Sequence, residues 1–222
     1  MNIPNASIQN IPIARPLVIG IDLSHNNGNV NWAKLKTNTD LISFAYIKAT
    51  QGVGYKDSAC VANATGAAEA GIKTGYYHFA SLNNNLDPVK DAADEAKWFD
   101  TVLRTLPPFQ LLPVLDIETN DKKLTTLQVQ QWVNSFLSSM RSLGYERIML
   151  YSYKPFLDEN LPANHTFGTL PLWIAQYRNV ANPSLPKGWM NYSVWQFTDK
   201  GRVNGVSGDC DMNKGDISLF TS

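Results

Sequence analysis

The sequence carries little charge and no excess of either sign. Its 222 residues include 19 basic and 19 acidic side chains, and charged residues make up only 17% of the chain. A chain without surplus lysine and arginine lacks the electrostatic signature of a protein that binds nucleic acid or anionic lipid. No apolar run approaches the roughly 18 residues that a membrane-spanning helix needs, so we expect no membrane insertion. Residues 1–16 also lack the basic start and apolar centre of a secretory signal.

Cysteine, histidine and common cofactor motifs are scarce as well. Cys60 and Cys210 fit no metal-binding spacing, so we expect two buried thiols; a disulfide would require their Cα atoms to lie within about 7 Å. The three histidines form no zinc motif, and the chain has no nucleophile elbow, dinucleotide fingerprint or phosphate loop. These absences argue against a serine hydrolase and a nucleotide enzyme, and we predict no cofactor. A Mg²⁺ or Ca²⁺ site built from carboxylate oxygens remains an alternative.

Apolar and aromatic residues are abundant, and they recur in short runs. Hydrophobic side chains make up 44% of the chain and aromatic ones 11%, which is enough to build a core. Several runs are nearly continuous rather than alternating, which is typical of parallel strands buried on both faces. The predicted strands are 17–22, 41–48, 74–80, 111–118, 147–152, 170–177 and 192–198.

Three helices are predicted between these strands. Asp87, followed by proline, is the expected N-cap of one helix. Thr125 and Gln128 form a capping box ahead of a long apolar stripe. The predicted helices are 58–70, 87–103 and 125–143, with a glycine after the first and the last of them.

Strands that alternate with helices form parallel sheets joined by right-handed crossovers. The links between the last three predicted strands are too short for full helices, so the second half should be irregular. The predicted fold class is therefore α/β, an irregular single-domain TIM-like barrel over residues 17–222. Residues 1–16, with three prolines, are predicted to form an extended N-terminal arm.

Acidic residues follow several of the predicted strands, where an α/β barrel gathers its functional residues. Asp116 and Glu118 end an apolar strand, and residues two apart on a strand share a face. Two carboxyls held close raise the pKa of one of them, which can then act as an acid near neutral pH. The alternative is that the pair caps a loop or binds a cation. Asp22 also follows an apolar strand, and the alternative is that it is an ordinary turn residue. The residues alone do not decide whether Asp211 lies at a strand end or in a solvated loop.

Aromatic and amide side chains accompany these carboxylates. Aromatic rings stack on the C–H faces of sugars, and amides hydrogen-bond hydroxyl and acetamido groups, so the combination suits a carbohydrate groove. Trp173 and Trp195, with Gln176 and Gln196 beside them, are the predicted groove residues. Trp132 occupies a core position on a predicted helix.

Seven motifs, in order from about residue 17 to residue 220, resemble glycoside hydrolase family 25, the Chalaropsis-type lysozymes. They are residues 20–24 (GIDLS), 44–52 (FAYIKATQG), 75–79 (GYYHF), 113–118 (PVLDIE), 172–177 (LWIAQY), 195–198 (WQFT) and 205–208 (GVSG).

The resemblance implies a flattened barrel of about eight strands and five helices. It also implies cleavage of the β-1,4 bond between N-acetylmuramic acid and N-acetylglucosamine in peptidoglycan. By position, Glu118 corresponds to the general acid and Asp116 to its partner, either as the nucleophile or by orienting the substrate's 2-acetamido group. The further residues that the resemblance implies are the acids Asp22 and Asp211 and the groove residues Tyr77, Tyr151 and Trp173.

The expected partner is therefore a peptidoglycan glycan strand. We expect a monomer that acts on the cell wall after secretion or after release during phage lysis. Two other functions compete with this one, a peptidoglycan-binding module without turnover and a metal-dependent polysaccharide deacetylase. The paired acid argues against the first, and the lack of metal-binding histidines argues against the second.

Overall fold

Nine strands in the described part of the chain form one sheet, which closes into a barrel. The computed structural model describes residues 17–36, 42–83 and 87–221, and the predicted arm over residues 1–16 lies outside them. The barrel order is β1-β9-β8-β7-β6-β5-β4-β2, closed by pairing of β1 with β2, and β3 forms a short hairpin with β2. The strands are β1 Val18–Leu23, β2 Ile42–Gln51, β3 Tyr55–Lys56, β4 Lys73–Phe79, β5 Val114–Asp116, β6 Met149–Tyr153, β7 Leu172–Ala175, β8 Val194–Gly201 and β9 Cys210–Gly215.

The last strand of the barrel runs against the others. β1, β2 and β4 to β8 pair in parallel, whereas β9 is antiparallel to both β8 and β1. The sequence did not predict β9, because Asp211 and Asn213 occupy its inward face and leave no apolar pattern there. The predicted irregular α/β barrel is otherwise confirmed.

Five α-helices accompany the strands within the described ranges. α1 and α5 were not predicted, because five and seven residues are too few to show a helical period. Asp87 caps α3 by accepting hydrogen bonds from two backbone N–H groups, and Thr125 forms the predicted capping box of α4. No described helix is long and apolar enough to cross a lipid bilayer. The helices are α1 Trp32–Lys36, α2 Cys60–Ala70, α3 Pro88–Leu103, α4 Thr126–Ser142 and α5 Lys154–Asn160.

Large aromatic side chains fill the inside of the barrel. Phe44, Tyr46 and Trp173 are buried there, and the Tyr46 ring stacks on Trp173 with the ring centroids 4.7 Å apart. Two glycines make room for them. A Cβ at Gly20 would lie 2.4 Å from the Phe44 ring, and a Cβ at Gly75 would lie 2.3 Å from the Tyr46 ring. This packed interior fixes the position of Trp173 under the cavity described below.

A second hydrophobic core lies between the strands and the helices. It contains Trp132, as the sequence predicted, and also Trp195, which was predicted to line a groove. The prediction for Trp195 is wrong. Neighbouring residues of a strand point to opposite faces, so Trp195 faces the helices while Gln196 faces the inside of the barrel. The Trp195 Nε1 donates to the backbone carbonyl of Gln176 at 2.9 Å.

Both cysteines are buried and unpaired, as the sequence predicted. Burial raises the pKa of the Cys60 thiol to about 12. It also raises the pKa of the Cys210 thiol. Both thiols therefore stay protonated at neutral pH and pack as small apolar side chains.

Candidate active site

A cavity of about 180 Å³ lies at the carboxyl end of the barrel. The four acidic residues named from the sequence all line it, and so do four of the five predicted binding residues. The fifth, Gln176, lines a neighbouring cavity instead. The lining residues are Asp22, Ser24, Asn26, Lys48, Tyr77, Phe79, Asp116, Glu118, Tyr151, Trp173, Gln196 and Asp211.

Asp116 and Glu118 face the same cavity although β5 ends between them. Asp116 is the last residue of the strand, and the alternation of side chains continues beyond it. Ile117 is buried in the second hydrophobic core, between the strands and the helices. Its N–H donates to the Tyr151 carbonyl oxygen at 3.0 Å. The backbone of Glu118 is fixed as well, because its carbonyl oxygen accepts a hydrogen bond from the Tyr153 hydroxyl at 3.2 Å.

Burial raises the pKa of both carboxyls. Asp116 is 5% exposed, and desolvation lifts its pKa well above the usual range, with the charge of Glu118 adding to the rise. Desolvation also raises the pKa of Glu118. The Asp116 Oδ1 atom is buried and has no hydrogen-bond partner among the described residues. The two carboxyls titrate together, so the pair retains a proton to higher pH than an isolated carboxyl would.

Asp22 and Asp211 form a second pair across the β1–β9 ladder, where they are direct register partners. The Asp22 Oδ2 atom accepts hydrogen bonds from Gln196 Nε2 at 2.9 Å and from Asn213 Nδ2 at 2.8 Å. Burial, together with the charge of Asp22, raises the pKa of Asp211 to about 8. The two amide donors favour the ionised form of Asp22, so Asp211 is the member of the pair that retains a proton, which it can donate to Asp22.

Replacement of Asp211 by asparagine is expected to stabilise the fold relative to the native chain, by an amount that grows as the pH rises. The pKa of Asp211 is about 8 in the folded state against an ordinary value of 3.8, so the folded state holds an extra proton between these values. Stability due to this group is complete below about pH 4 and falls as the pH rises toward 8. Asparagine donates to Asp22 without titrating, so it avoids this loss.

Denaturant unfolding of Asp211→Asn and the native chain across this pH range measures the effect. The difference in free energy of unfolding should shift steadily in favour of the variant as the pH rises. A difference that stays constant with pH would contradict the raised pKa of Asp211.

Gln196 connects the carboxylates to two tyrosines. Its Oε1 atom accepts hydrogen bonds from the hydroxyls of Tyr151 and Tyr177 at 2.8 and 2.6 Å, and its Nε2 atom donates to Asp22. The sequence predicted that Gln196 binds substrate. In the structure the side chain is 2% exposed and holds three protein groups, so it positions those groups instead.

The predicted aromatic residues form a packed wall and floor. Trp173 is 2% exposed, and its Nε1 donates to Asn213 Oδ1 at 2.8 Å. Tyr77 and Tyr151 contact Trp173 edge-to-face, with ring centroids 6.4 and 4.7 Å away. These contacts cover most of the three rings, so they shape the cavity and leave little open face for stacking on a sugar.

The family model described as Glycosyl hydrolases family 25 matches residues 21–206, which is most of the chain. The chain belongs to glycosyl hydrolase family 25. It is therefore a glycoside hydrolase, and the family resemblance of the seven motifs is confirmed.

Relatives of this family 25 chain include lysozymes of known sequence and structure. Lysozyme M1 of Streptomyces globisporus is 36% identical over 206 residues, covering 89% of this chain and 67% of the relative. The autolytic lysozyme of Clostridium acetobutylicum is 31% identical, covering 88% of this chain and 55% of the relative, so this chain spans about half to two thirds of their lengths. The crystal structure of a bacterial lysozyme from Streptomyces coelicolor superposes with a TM-score of 0.78 at 34% identity, covering 90% of this chain and 92% of that one.

The family 25 site of this chain also contains a positively charged side chain that the sequence did not predict. Among the described residues that line the cavity, Lys48 is the only lysine or arginine. Its Nζ atom donates to Gln51 Oε1 at 2.7 Å and lies 4.6 Å from the centroid of the Phe79 ring. The charge of Lys48 partly offsets the rise in the pKa of Asp116 and of Glu118. The signal available in the sequence was a single charged residue inside a mostly apolar strand.

Four carboxylates in one cavity raise the question of a bound cation. No group of three or more His, Cys, Asp or Glu side chains within the described ranges is arranged to hold a metal ion. The Lys48 ammonium and the protons that the raised pKa values retain offset part of the negative charge.

Proposed function

We propose that this family 25 glycoside hydrolase is a muramidase that hydrolyses the β-1,4 bond between N-acetylmuramic acid and N-acetylglucosamine in peptidoglycan. The observation that carries the proposal is the pair Asp116 and Glu118, two buried carboxyls of raised pKa in one cavity. The lysozymes among its relatives support peptidoglycan as the substrate. The cell wall is accordingly where the enzyme acts.

Glu118 serves as the general acid in this proposal. Its proton passes to the glycosidic oxygen as the bond from that oxygen to the anomeric carbon breaks, and positive charge develops on the sugar ring. Burial raises the pKa of Glu118 and so favours its protonated form, which an acid catalyst requires. Binding of substrate must place the proton of the coupled pair on Glu118, leaving Asp116 ionised.

Asp116 serves as the partner of Glu118. It either attacks the anomeric carbon or holds the substrate's 2-acetamido group so that the acetamido oxygen attacks. Its Oδ1 atom has no hydrogen-bond partner in the described part of the chain, which supports a hydrogen bond or a direct contact with substrate. In either case Glu118 then takes a proton from the water that completes hydrolysis, and the anomeric configuration is retained.

Two other functions are distinguished from this one by measuring new reducing ends, released acetate and wall binding on purified peptidoglycan, with and without a chelator. A muramidase releases new reducing ends and is unaffected by a chelator. A binding module would pull down with the wall but release no ends, and a metal-dependent deacetylase would release acetate and lose activity with chelator. Either of those results would overturn the proposed function.

Lys48→Met is expected to shift the pH profile of kcat/KM to higher pH. The lysine charge lowers the pKa of both Asp116 and Glu118, so its loss raises both values. Both limbs of the profile report these groups in the free enzyme, so both limbs should move.

Two variants control for the Lys48 experiment. Lys48→Arg keeps the charge and should stay close to the native profile. Lys73→Met removes an exposed lysine at the first residue of β4 and should change nothing. If both limbs of the pH profile are unchanged in Lys48→Met, Lys48 does not influence the pKa values of Asp116 and Glu118.

We also propose that the enzyme acts as a monomer, after secretion or release during phage lysis. Light scattering should give the mass of a single chain, and a dimer mass would contradict the proposal.

A further inference from the structure

A further cavity lies on the other side of loop 24–28 from the cavity that contains Asp116 and Glu118. This side cavity has a volume of about 420 Å³ and is bounded by the loop, by the start of α1 and by the first turn of α2. Its volume is within the range of about 300–1,000 Å³ that is usual for sites that bind small molecules. Ser24 and Asn26 line the catalytic cavity, whereas His25 and Gly28 line the side cavity. The loop is therefore the wall between the two.

The side cavity is separate from the path that a linear glycan can follow. No described residue lines both the side cavity and the catalytic cavity. By contrast, the cavity over the ends of β6 and β7 joins the catalytic cavity, because Glu118 and Tyr151 line both. A linear chain is expected to follow the cavities that join, so a ligand enters the side cavity as a branch that crosses loop 24–28. Peptidoglycan has such a branch, because N-acetylmuramic acid bears a peptide stem on its lactyl group.

Asn63 supplies a buried amide without a partner. Its side chain lines the side cavity and is 3% exposed. The Nδ2 atom is buried and has no hydrogen-bond partner within the described ranges. A buried donor without an acceptor is costly and uncommon in folded proteins, so it points to a group that arrives with a ligand. The carbonyl oxygen of a peptide is such an acceptor.

His25 supplies a second polar group with a fixed orientation. Its Nδ1 atom lies 2.7 Å from Asp57 Oδ2, and its backbone N–H donates to the same oxygen at 3.2 Å. Asp57 is held in turn by the Ala59 N–H, which donates to Oδ1 at 3.0 Å. When Nδ1 carries the proton that Asp57 accepts, Nε2 is a hydrogen-bond acceptor, and it has no partner in the described part of the chain. A donor at Asn63 and an acceptor at His25 match the C=O and N–H groups of a peptide backbone.

The rest of the lining favours a peptide over an anion or a stacked sugar. None of the described residues that line the side cavity is a lysine, arginine, aspartate or glutamate, so no fixed charge selects an ionic ligand. Small side chains, those of Ala59 and Ala62, form part of the wall. The Trp32 ring is packed against Gly66, where a Cβ would lie 2.1 Å from the ring, so part of the ring is already covered.

We propose that the side cavity binds the peptide stem of the N-acetylmuramic acid residue whose glycosidic bond is cleaved. Asn63 donates to a carbonyl oxygen of the stem, and His25 accepts from one of its N–H groups. The inference rests on the proposed muramidase function, which places this sugar in the catalytic cavity. It extends the substrate from the glycan strand to the peptide that branches from it.

The test compares two soluble substrates, glycan strands with uncross-linked peptide stems and the same strands after an amidase has removed the stems. Ala62→Trp places a large ring at an exposed position of α2 that lines the side cavity. We expect it to lower kcat/KM for stem-bearing strands about five- to tenfold, the loss expected for one or two hydrogen bonds. Asn63→Leu should act in the same direction. For both variants the loss should be confined to strands that carry stems, and each rate is compared with that of the native chain on the same substrate.

Ala68→Trp is the matched control, because Ala68 is also exposed on α2 but does not line the side cavity. This variant should keep the native rate on both substrates. An equal loss on both substrates in Ala62→Trp would mean that the cavity binds the glycan itself, and no loss on either would mean that it binds no part of the substrate. Either result would overturn the proposal.

Binding of the stem is also measured without turnover. The peptides that the amidase releases are titrated into the native chain, and amide NMR signals are recorded. Signals of residues 28–32 and 58–63 should shift in the native chain and in Ala68→Trp, but not in Ala62→Trp. Absence of these shifts in the native chain would contradict the stem site, whereas failure of the proposed function is seen separately, as a native chain that releases no reducing ends from either substrate.

Discussion

Glu118→Gln is expected to lower kcat for peptidoglycan hydrolysis by at least about 10²-fold, the low end for loss of a general acid. Glutamine has nearly the same shape and can occupy the same place beside Tyr153, but an amide has no acidic proton for the glycosidic oxygen. Removal of a buried carboxyl of raised pKa should leave the fold at least as stable at neutral pH. Release of reducing ends measures the rate, and thermal unfolding confirms that the variant is folded.

Glu69→Gln is the matched control for this experiment. Glu69 is an exposed residue of α2 and does not line either cavity. Its variant should keep the native rate. A Glu118→Gln protein that hydrolyses as fast as the native chain would remove Glu118 from the mechanism.

Asp116→Asn is expected to cause a loss of similar size, at least about 10²-fold. Asparagine can neither attack the anomeric carbon nor carry the charge that orients the acetamido group. Because Asp116 and Glu118 act on the same transition state, the double variant should be little slower than the slower single variant. Additive losses in the double variant would mean that the two carboxyls act independently.

The two possible roles of Asp116 predict different observations. If Asp116 is the nucleophile, mass spectrometry of a slow turnover should find a glycosyl adduct on the peptide that contains it. If Asp116 orients the acetamido group, no adduct forms, and removal of the N-acetyl group from muramic acid should abolish cleavage. An Asp116→Asn variant that hydrolyses peptidoglycan at the native rate would contradict both roles.

Three of the four acidic residues of the site could be found from the sequence because of their positions, whereas Asp211 was assigned only through the family resemblance. Asp22 and Asp116 each end an apolar strand, and carboxyl ends of barrel strands converge on one edge. The alternation of side chains then brings Glu118 to the same side as Asp116, even though the strand has already ended. Local pattern and a general rule of barrel folds were sufficient for these positions.

Other site residues depend on contacts that no local pattern reveals. Gln196 meets Asp22 across 174 positions of chain, and Asn213 meets it across 191. Strand β9 could not be predicted because its inward residues bond to the site rather than to an apolar core. The hydroxyls of Tyr153 and Tyr177 reach Glu118 and Gln196 only when β5 to β8 are assembled.

The central claim is tested most directly by the identity of the reducing ends. Purified peptidoglycan is digested with the native chain, reduced with borohydride and examined by mass spectrometry. Cleavage after N-acetylmuramic acid predicts reduced muramic acid at the new ends, and none in the digest with Glu118→Gln. Reduced glucosamine at the new ends, or no new ends at all, would contradict the assignment of this family 25 enzyme as a muramidase.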